Sequence, residues 1–158
     1  GCASGVPMGG TVEGRGGPLT CWVHALKDPD GANLDRIQII KGWVDDQGEP
    51  QVRIVDVAWS GDRTPGSNGR VSAVGSTVDL ETATYTNDSG SPELVGAWTD
   101  EAFDAGQHAV YYVRVLEIPT PRWSTYDAVR NGLPLLDNVP ATIQERAWTS
   151  PIWYSPEG

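Results

Sequence analysis

Lys27-Asp-Pro-Asp-Gly-Ala-Asn-Leu-Asp-Arg-Ile-Gln-Ile-Ile-Lys-Gly-Trp43 is the stretch whose reading decides the fold. Its first half is turn chemistry, because proline presets φ and aspartate side chains bond to their own backbone. Its second half is β-branched and apolar, with Ile37, Ile39 and Ile40 running to Trp43, and predicts a strand over 36–44.

The same alternation of short apolar runs and turn residues extends outward in both directions. Leu19–Leu26 reads as the preceding strand, and Gln51–Trp59 as its successor, pairing back as a hairpin after Asp45-Asp46-Gln47-Gly48. Residues 60–69 form a loop closed by the tight-turn dipeptide Asn68-Gly69. Val78–Tyr85 is a weaker strand, and Pro92–Asp104 a loop or a single short helix around Leu94–Trp98. Ala109–Ile118, halted by Pro119, is the clearest strand of all. Ser124–Asn131 predicts one or two helical turns after a serine cap, and Thr142–Trp148 and Ile152–Tyr154 close the sheet. Nineteen glycines and twelve prolines spread along 158 residues fit this punctuation. The fold class is therefore all-β: an antiparallel β-sandwich of about six to eight strands with long loops and at most one or two short helices, an incomplete barrel being the alternative. One domain over 1–158 is expected, opening with a flexible glycine-rich arm over 1–18.

Twenty-one acids against eleven bases give a formal charge of −10, so nucleic acid and anionic membrane surfaces are poor partners. No apolar run approaches the ~20 residues of a membrane span, and the N-terminus lacks the basic-then-apolar pattern of a signal peptide. The chain starts at Gly1 rather than Met, which suggests an excised product whose export signal lay upstream. Cys2 and Cys21 either form one disulfide or remain two thiols.

The Lys27–Trp43 block stands in a longer order. Gly5-Val-Pro-Met-Gly-Gly10 precedes it; Ile118-Pro-Thr-Pro-Arg-Trp-Ser-Thr-Tyr-Asp127 and Thr142-Ile-Gln-Glu-Arg-Ala-Trp-Thr-Ser-Pro-Ile-Trp-Tyr154 follow. That order resembles the C-terminal segment of the domain of unknown function 3604 family, over residues 5–156. The resemblance implies a C-terminal part of a larger, exported (periplasmic or secreted) protein whose N-terminal region is similar to metal-dependent hydrolases of the polymerase-and-histidinol-phosphatase type. That N-terminal domain is then the expected partner. The family's metal-binding motifs are expected upstream of Gly1, so none maps onto a residue of this chain.

The residues themselves carry little catalytic signal. His24 and His108 are the two histidines, and neither belongs to a His-x-His or His-Glu-x-x-His pattern. The catalytic candidates are His108, Asp127, Glu117 and Glu145, the carboxylates chosen because each flanks an aromatic-rich block. Asp28, Asp30, Asn33 and Asp35 bring four oxygen donors into eight residues, a calcium-like density that is equally ordinary turn chemistry. Arg122, Trp123, Tyr126 and Asp127, stiffened by Pro119 and Pro121, form a candidate binding block, with Arg146 and Glu145 latching onto it. Asp35, Lys41, Asp56, Arg114, Glu117 and Arg146 lie in or beside strands; a solvated sheet face is expected, a face packed on another domain being the alternative. Trp22, Trp43, Trp59, Trp148 and Trp153 are expected in the core. The functional expectation is a non-catalytic accessory domain that packs against, or positions substrate for, the N-terminal domain. Alternatives are an independent small hydrolase acting on an ester, phosphate or sulfate, and a carbohydrate-binding module. No cofactor is required, calcium excepted.

Overall fold

Ten strands and one helix follow each other in the computed structural model, which describes residues 5–14 and 16–156. The strands are β1 (Thr11–Glu13), β2 (Thr20–Leu26), β3 (Leu34–Val44), β4 (Pro50–Trp59), β5 (Glu93–Thr99), β6 (Ala109–Glu117), β7 (Thr120–Pro121), β8 (Thr142–Ile143), β9 (Arg146–Trp148) and β10 (Ile152–Ser155). The helix α1 spans Trp123–Asn131. The protein is all-β, as its punctuation predicts.

The main sheet runs β1-β10-β6-β3-β4, with β9 also on β6. The long apolar stretch of β3 sits at its centre, antiparallel to both β4 and β6. β2 and β5 form a separate antiparallel pair, packed on one face of the main sheet. Strict alternation makes this possible. Cys21, Val23 and Ala25 of β2 turn inward, whereas Thr20, Trp22, His24 and Leu26 turn to solvent. Two apolar clusters fill the interlayer: Leu34, Ile37 and Leu94 at one end, and Leu19, Ala109, Tyr111 and Tyr154 at the other. Gly96 of β5 lets the layers meet, since a Cβ there would stand 2.9 Å from the Val57 carbonyl oxygen.

Four local expectations are corrected. Glu93–Thr99 is a strand rather than a loop or helix, because its inward Leu94 pairs with the inward face of β2. Val78–Tyr85 is no strand; one bridge, Asp79 to Thr84, is all that forms there. Residues 11–13 of the expected arm add a parallel edge strand to β10. The helix is capped by Arg122 in extended conformation, two residues earlier than a Ser124 cap requires, and Ser124 is buried.

The charged strand residues are the largest correction. Asp35, Lys41 and Asp56 are buried, not solvated. Lys41 Nζ donates to Asp100 Oδ2 at 2.5 Å, Tyr111 Oη donates to the same oxygen at 2.8 Å, and the ammonium lies 5.1 Å from the Trp43 ring centroid. Asp35 is paired by Arg36 and by Arg63, whose Nη1 stands 2.6 Å from Oδ1 as a close charge contact. Arg63 also donates to the carbonyls of Ser60, Ser72 and Asp35, pinning the loop after β4 to the start of β3. Buried charges persist because each is matched in place.

Candidate functional site

The oxygen-rich turn binds a cation of its own. Lys27 Nζ donates to the carbonyl oxygens of Asp28, Pro29 and Gly31 at 2.7, 2.8 and 3.0 Å, occupying the donors a metal ion would draw on. Asp28 Oδ1 accepts from the Asp30 amide, Asn33 Nδ2 donates to the carbonyls of Asn87 and Ser89, and Asp35 belongs to the arginine pairs. The structure does not bring Asp28, Asp30, Asn33 and Asp35 together, and no group of three or more His, Cys, Asp or Glu gathers for a metal among the described residues.

Arg122, Trp123, Tyr126 and Asp127 all sit on the first turns of α1. Trp123 and Asp127 are exposed, and the Tyr126 ring is covered by Arg130 at 5.4 Å. The expected latch is not made. Glu145 and Arg146 are exposed, and among the described residues no ion pair links them to the helix.

Glu117, Glu145 and Arg146 instead meet in a cleft of about 420 Å³ between β2 and the β6–β9 edge, with His24, Lys27 and Asp28 on its other wall. Burial, then the neighbouring Glu145 and Asp28 carboxylates, push the Glu117 carboxyl up from its ordinary range, and Lys27 opposes them. His24 Nε2 is 2.6 Å from Glu93 Oε1 across the β2–β5 pair. His108 and Asp127 are elsewhere: His108 precedes the opposite end of β6, about 30 Å of strand away. The disulfide alternative for Cys2 lies outside the described residues; Cys21 forms no disulfide among them.

A second surface went unread in the sequence. It is the face of the main sheet turned away from β2 and β5. Gln38 of β3 pairs with Asp56 of β4 on one side and Arg114 of β6 on the other, and Arg114 pairs with Trp148 of β9. The four residues therefore form one row across four strands, on one face. Gln38 Nε2 donates to Asp56 Oδ1 at 2.6 Å, and Arg114 Nε donates to Gln38 Oε1 at 2.7 Å. Asp56 is held in turn by Arg70 Nε at 3.1 Å and the Val71 amide at 2.8 Å. Because a carboxylate only accepts, this chain fixes which way the Gln38 amide points.

The tryptophans complete the face. Trp148 pairs with Arg114 and Trp153 with Val110, both even-numbered positions of β6 and hence the same side. An odd spacing of five in one unbroken strand would put them on opposite sides. An extra residue between Thr149 and Ile152 restores the side: Ser150 and Pro151 lie where β6 has Tyr112 alone. Trp148 and Trp153 are 57% and 53% exposed and stand about 13 Å apart along the strand direction. Trp22 is 74% exposed on the outer face of β2, so three of the five tryptophans expected in the core face solvent. Trp43 and Trp59 are half-buried.

The family whose description reads "Protein of unknown function (DUF3604)" matches residues 1–156. The chain belongs to the DUF3604 family. No curated protein and no solved structure matches the chain.

In this DUF3604 chain, then, the charged groups fall into two sets. Lys41, Asp100, Asp35, Arg36 and Arg63 are matched internally and hold the sheets and the loop after β4. Arg114 and Arg146 make no ion pair among the described residues, and burial first, then the Arg146 charge, lowers the proton affinity of Arg114. Arg146 pairs with Leu116 and therefore faces the same side as Arg114. Two indoles and two unpaired guanidinium groups share this surface, and flat aromatic faces beside planar donors suit a ring-shaped, polar ligand.

Proposed function

We propose that the chain is a non-catalytic accessory β-sandwich of an exported, metal-dependent hydrolase-like protein, and that it positions a carbohydrate for the catalytic domain of that protein. The supporting observation is the bulge at Ser150-Pro151, which sets the exposed Trp148 and Trp153 on the same side of the β9–β10 edge of the sheet. Indoles exposed in line along one sheet edge offer stacking surface without a deep pocket, which fits holding an extended polymer better than enclosing a small substrate. Affinity electrophoresis through gels containing soluble polysaccharides tests this. Retardation that disappears in Trp148→Ala/Trp153→Ala supports the reading; equal migration of both proteins in every gel contradicts it.

The cleft at Glu117 favours a second reading, an independent hydrolase acting on an ester, phosphate or sulfate, because Glu117 and Glu145 form a carboxylate pair with one member held up. Turnover of chromogenic substrates that Glu117→Gln abolishes supports this second reading.

A further inference from the structure

We infer that the carbohydrate held on the Trp148–Trp153 face is anionic, a sulfated or uronic polysaccharide, and that Arg114 and Arg146 select it. This rests on the carbohydrate reading above and adds the charge of the ligand.

The acidic chain as a whole repels polyanions, so the local surface has to decide. At physiological salt an exposed charge acts over about 8 Å, so the groups nearest this face decide. The carboxylate of the row, Asp56, is buried and already accepts from Gln38, Arg70 and the Val71 amide, and the nearby Asp35 is buried against Arg36 and Arg63. Both are spent on structure. Glu117 and Glu145 border the cleft that Arg146 also lines, but the alternation of β6 and β9 turns them to the β2 side of the sheet, and Arg114 and Arg146 remain on the side of Trp148 with no carboxylate in ion-pair distance among the described residues.

Arg114 is also aimed. Its Nε is taken by Gln38 Oε1, so the guanidinium is anchored by its inner nitrogen and presents its two outer ones. That is the arrangement for bidentate capture of a sulfate or carboxylate, and a fixed guanidinium loses less freedom on binding than a loose one. Arg146 is exposed on the same side, two pairs further along β9. A sugar ring stacked on Trp148 would carry its acidic substituent within reach of both.

Dextran and dextran sulfate share a backbone and differ in charge, so the pair separates this inference from the reading beneath it. Retention of the native chain by dextran sulfate and not by dextran is expected, weakening as salt rises from about 0.1 M to about 1 M. Arg146→Gln, at an exposed position, is expected to weaken retention about tenfold, the scale of one charge-assisted contact. Arg114→Gln should do the same, with some loss of stability from the broken Gln38 bond, so its retention is compared well below its unfolding temperature, and Arg130→Gln on α1 should have no effect. Polygalacturonate tells whether carboxylate serves as well as sulfate; retention by either polyanion supports the inference. Equal retention by dextran and dextran sulfate, or indifference to both arginine substitutions, overturns the anionic preference and leaves the carbohydrate reading standing. Retention by none of the three polymers overturns both. Burial of Trp148 and Trp153 by the upstream part of a longer family member would make this face a domain interface and likewise overturn the inference.

Discussion

Arg114 Nε donates to Gln38 Oε1 at 2.7 Å, and Gln38 passes the constraint on to buried Asp56 through its own amide at 2.6 Å. A neutral side chain in mid-sheet thus ties a half-buried cation to a buried carboxylate on the same face. Gln38→Leu is expected to cost about 1–3 kcal/mol, since it leaves Asp56 short of a donor and Arg114 without its acceptor. Urea denaturation measures this, and a midpoint unchanged from the native chain would show that the row is not coupled.

The Lys41–Asp100 pair makes a stronger demand. Both side chains are almost wholly buried, so Lys41→Met leaves a stranded carboxylate and is expected to destabilise by about 3–5 kcal/mol. Adding Asp100→Leu to it should recover part of the loss, because two apolar groups need no mutual compensation. Chemical denaturation of the four members of this cycle checks the coupling; additive losses would contradict it.

Cys21 and Tyr111 predict alkaline sensitivity. Burial and then Asp100 push the Cys21 thiol from 9.0 to about 11, and burial followed by the Asp100 hydrogen bond raises Tyr111 as well. Groups whose folded pKa is raised hold their protons more tightly in the native state. For Cys21 that stabilisation is complete below the unfolded value and is lost as pH climbs from about 9 through about 11, and for Tyr111 the loss sets in only above its ordinary value of 10.0. In a Cys2→Ser background, alkylation of Cys21 at about pH 8 should be about 100-fold slower in the folded chain than in urea. Equal rates would place the thiol in solvent.

Glu117 gives a test of the cleft. Because Glu145 is the second cause of its raised pKa, Glu145→Gln should lower the Glu117 titration toward the ordinary carboxylate range without restoring it fully, burial being the first cause. Carbon-detected NMR titration of the Glu117 carboxyl reads this directly, and an unmoved midpoint would separate the two carboxylates.

Much of the sheet was legible because its strands alternate strongly. Thr20–Leu26, Leu34–Val44, Pro50–Trp59 and Ala109–Glu117 lie within a few residues of their predicted limits. Glu93–Thr99 was not legible, since Gly96 and Ala97 weaken its strand character and only contact across the layers with Val57 and Ala58 explains the glycine. The candidate sites divide the same way. Glu117, Glu145 and Arg146 were singled out singly, and the fold places them together; Gln38, Asp56 and Arg114 lie 76 residues apart at the extremes, and nothing local announces their row. The Trp148 to Trp153 interval held a readable sign in Pro151, a residue that strands accept at bulges. Burial of Asp35, Lys41 and Asp56 was invisible because their partners Arg63, Asp100 and Arg70 come from other segments.

The most direct test follows the tryptophan indole N–H resonances while dextran sulfate is added to the native chain. Trp22 and Trp123 are exposed too, on the outer face of β2 and on α1, and serve as internal controls. The account predicts that the Trp148 and Trp153 signals move together and saturate while those of Trp22 and Trp123 stay in place. Movement confined to Trp22 or Trp123, or a spectrum that polymer leaves unchanged, would contradict it.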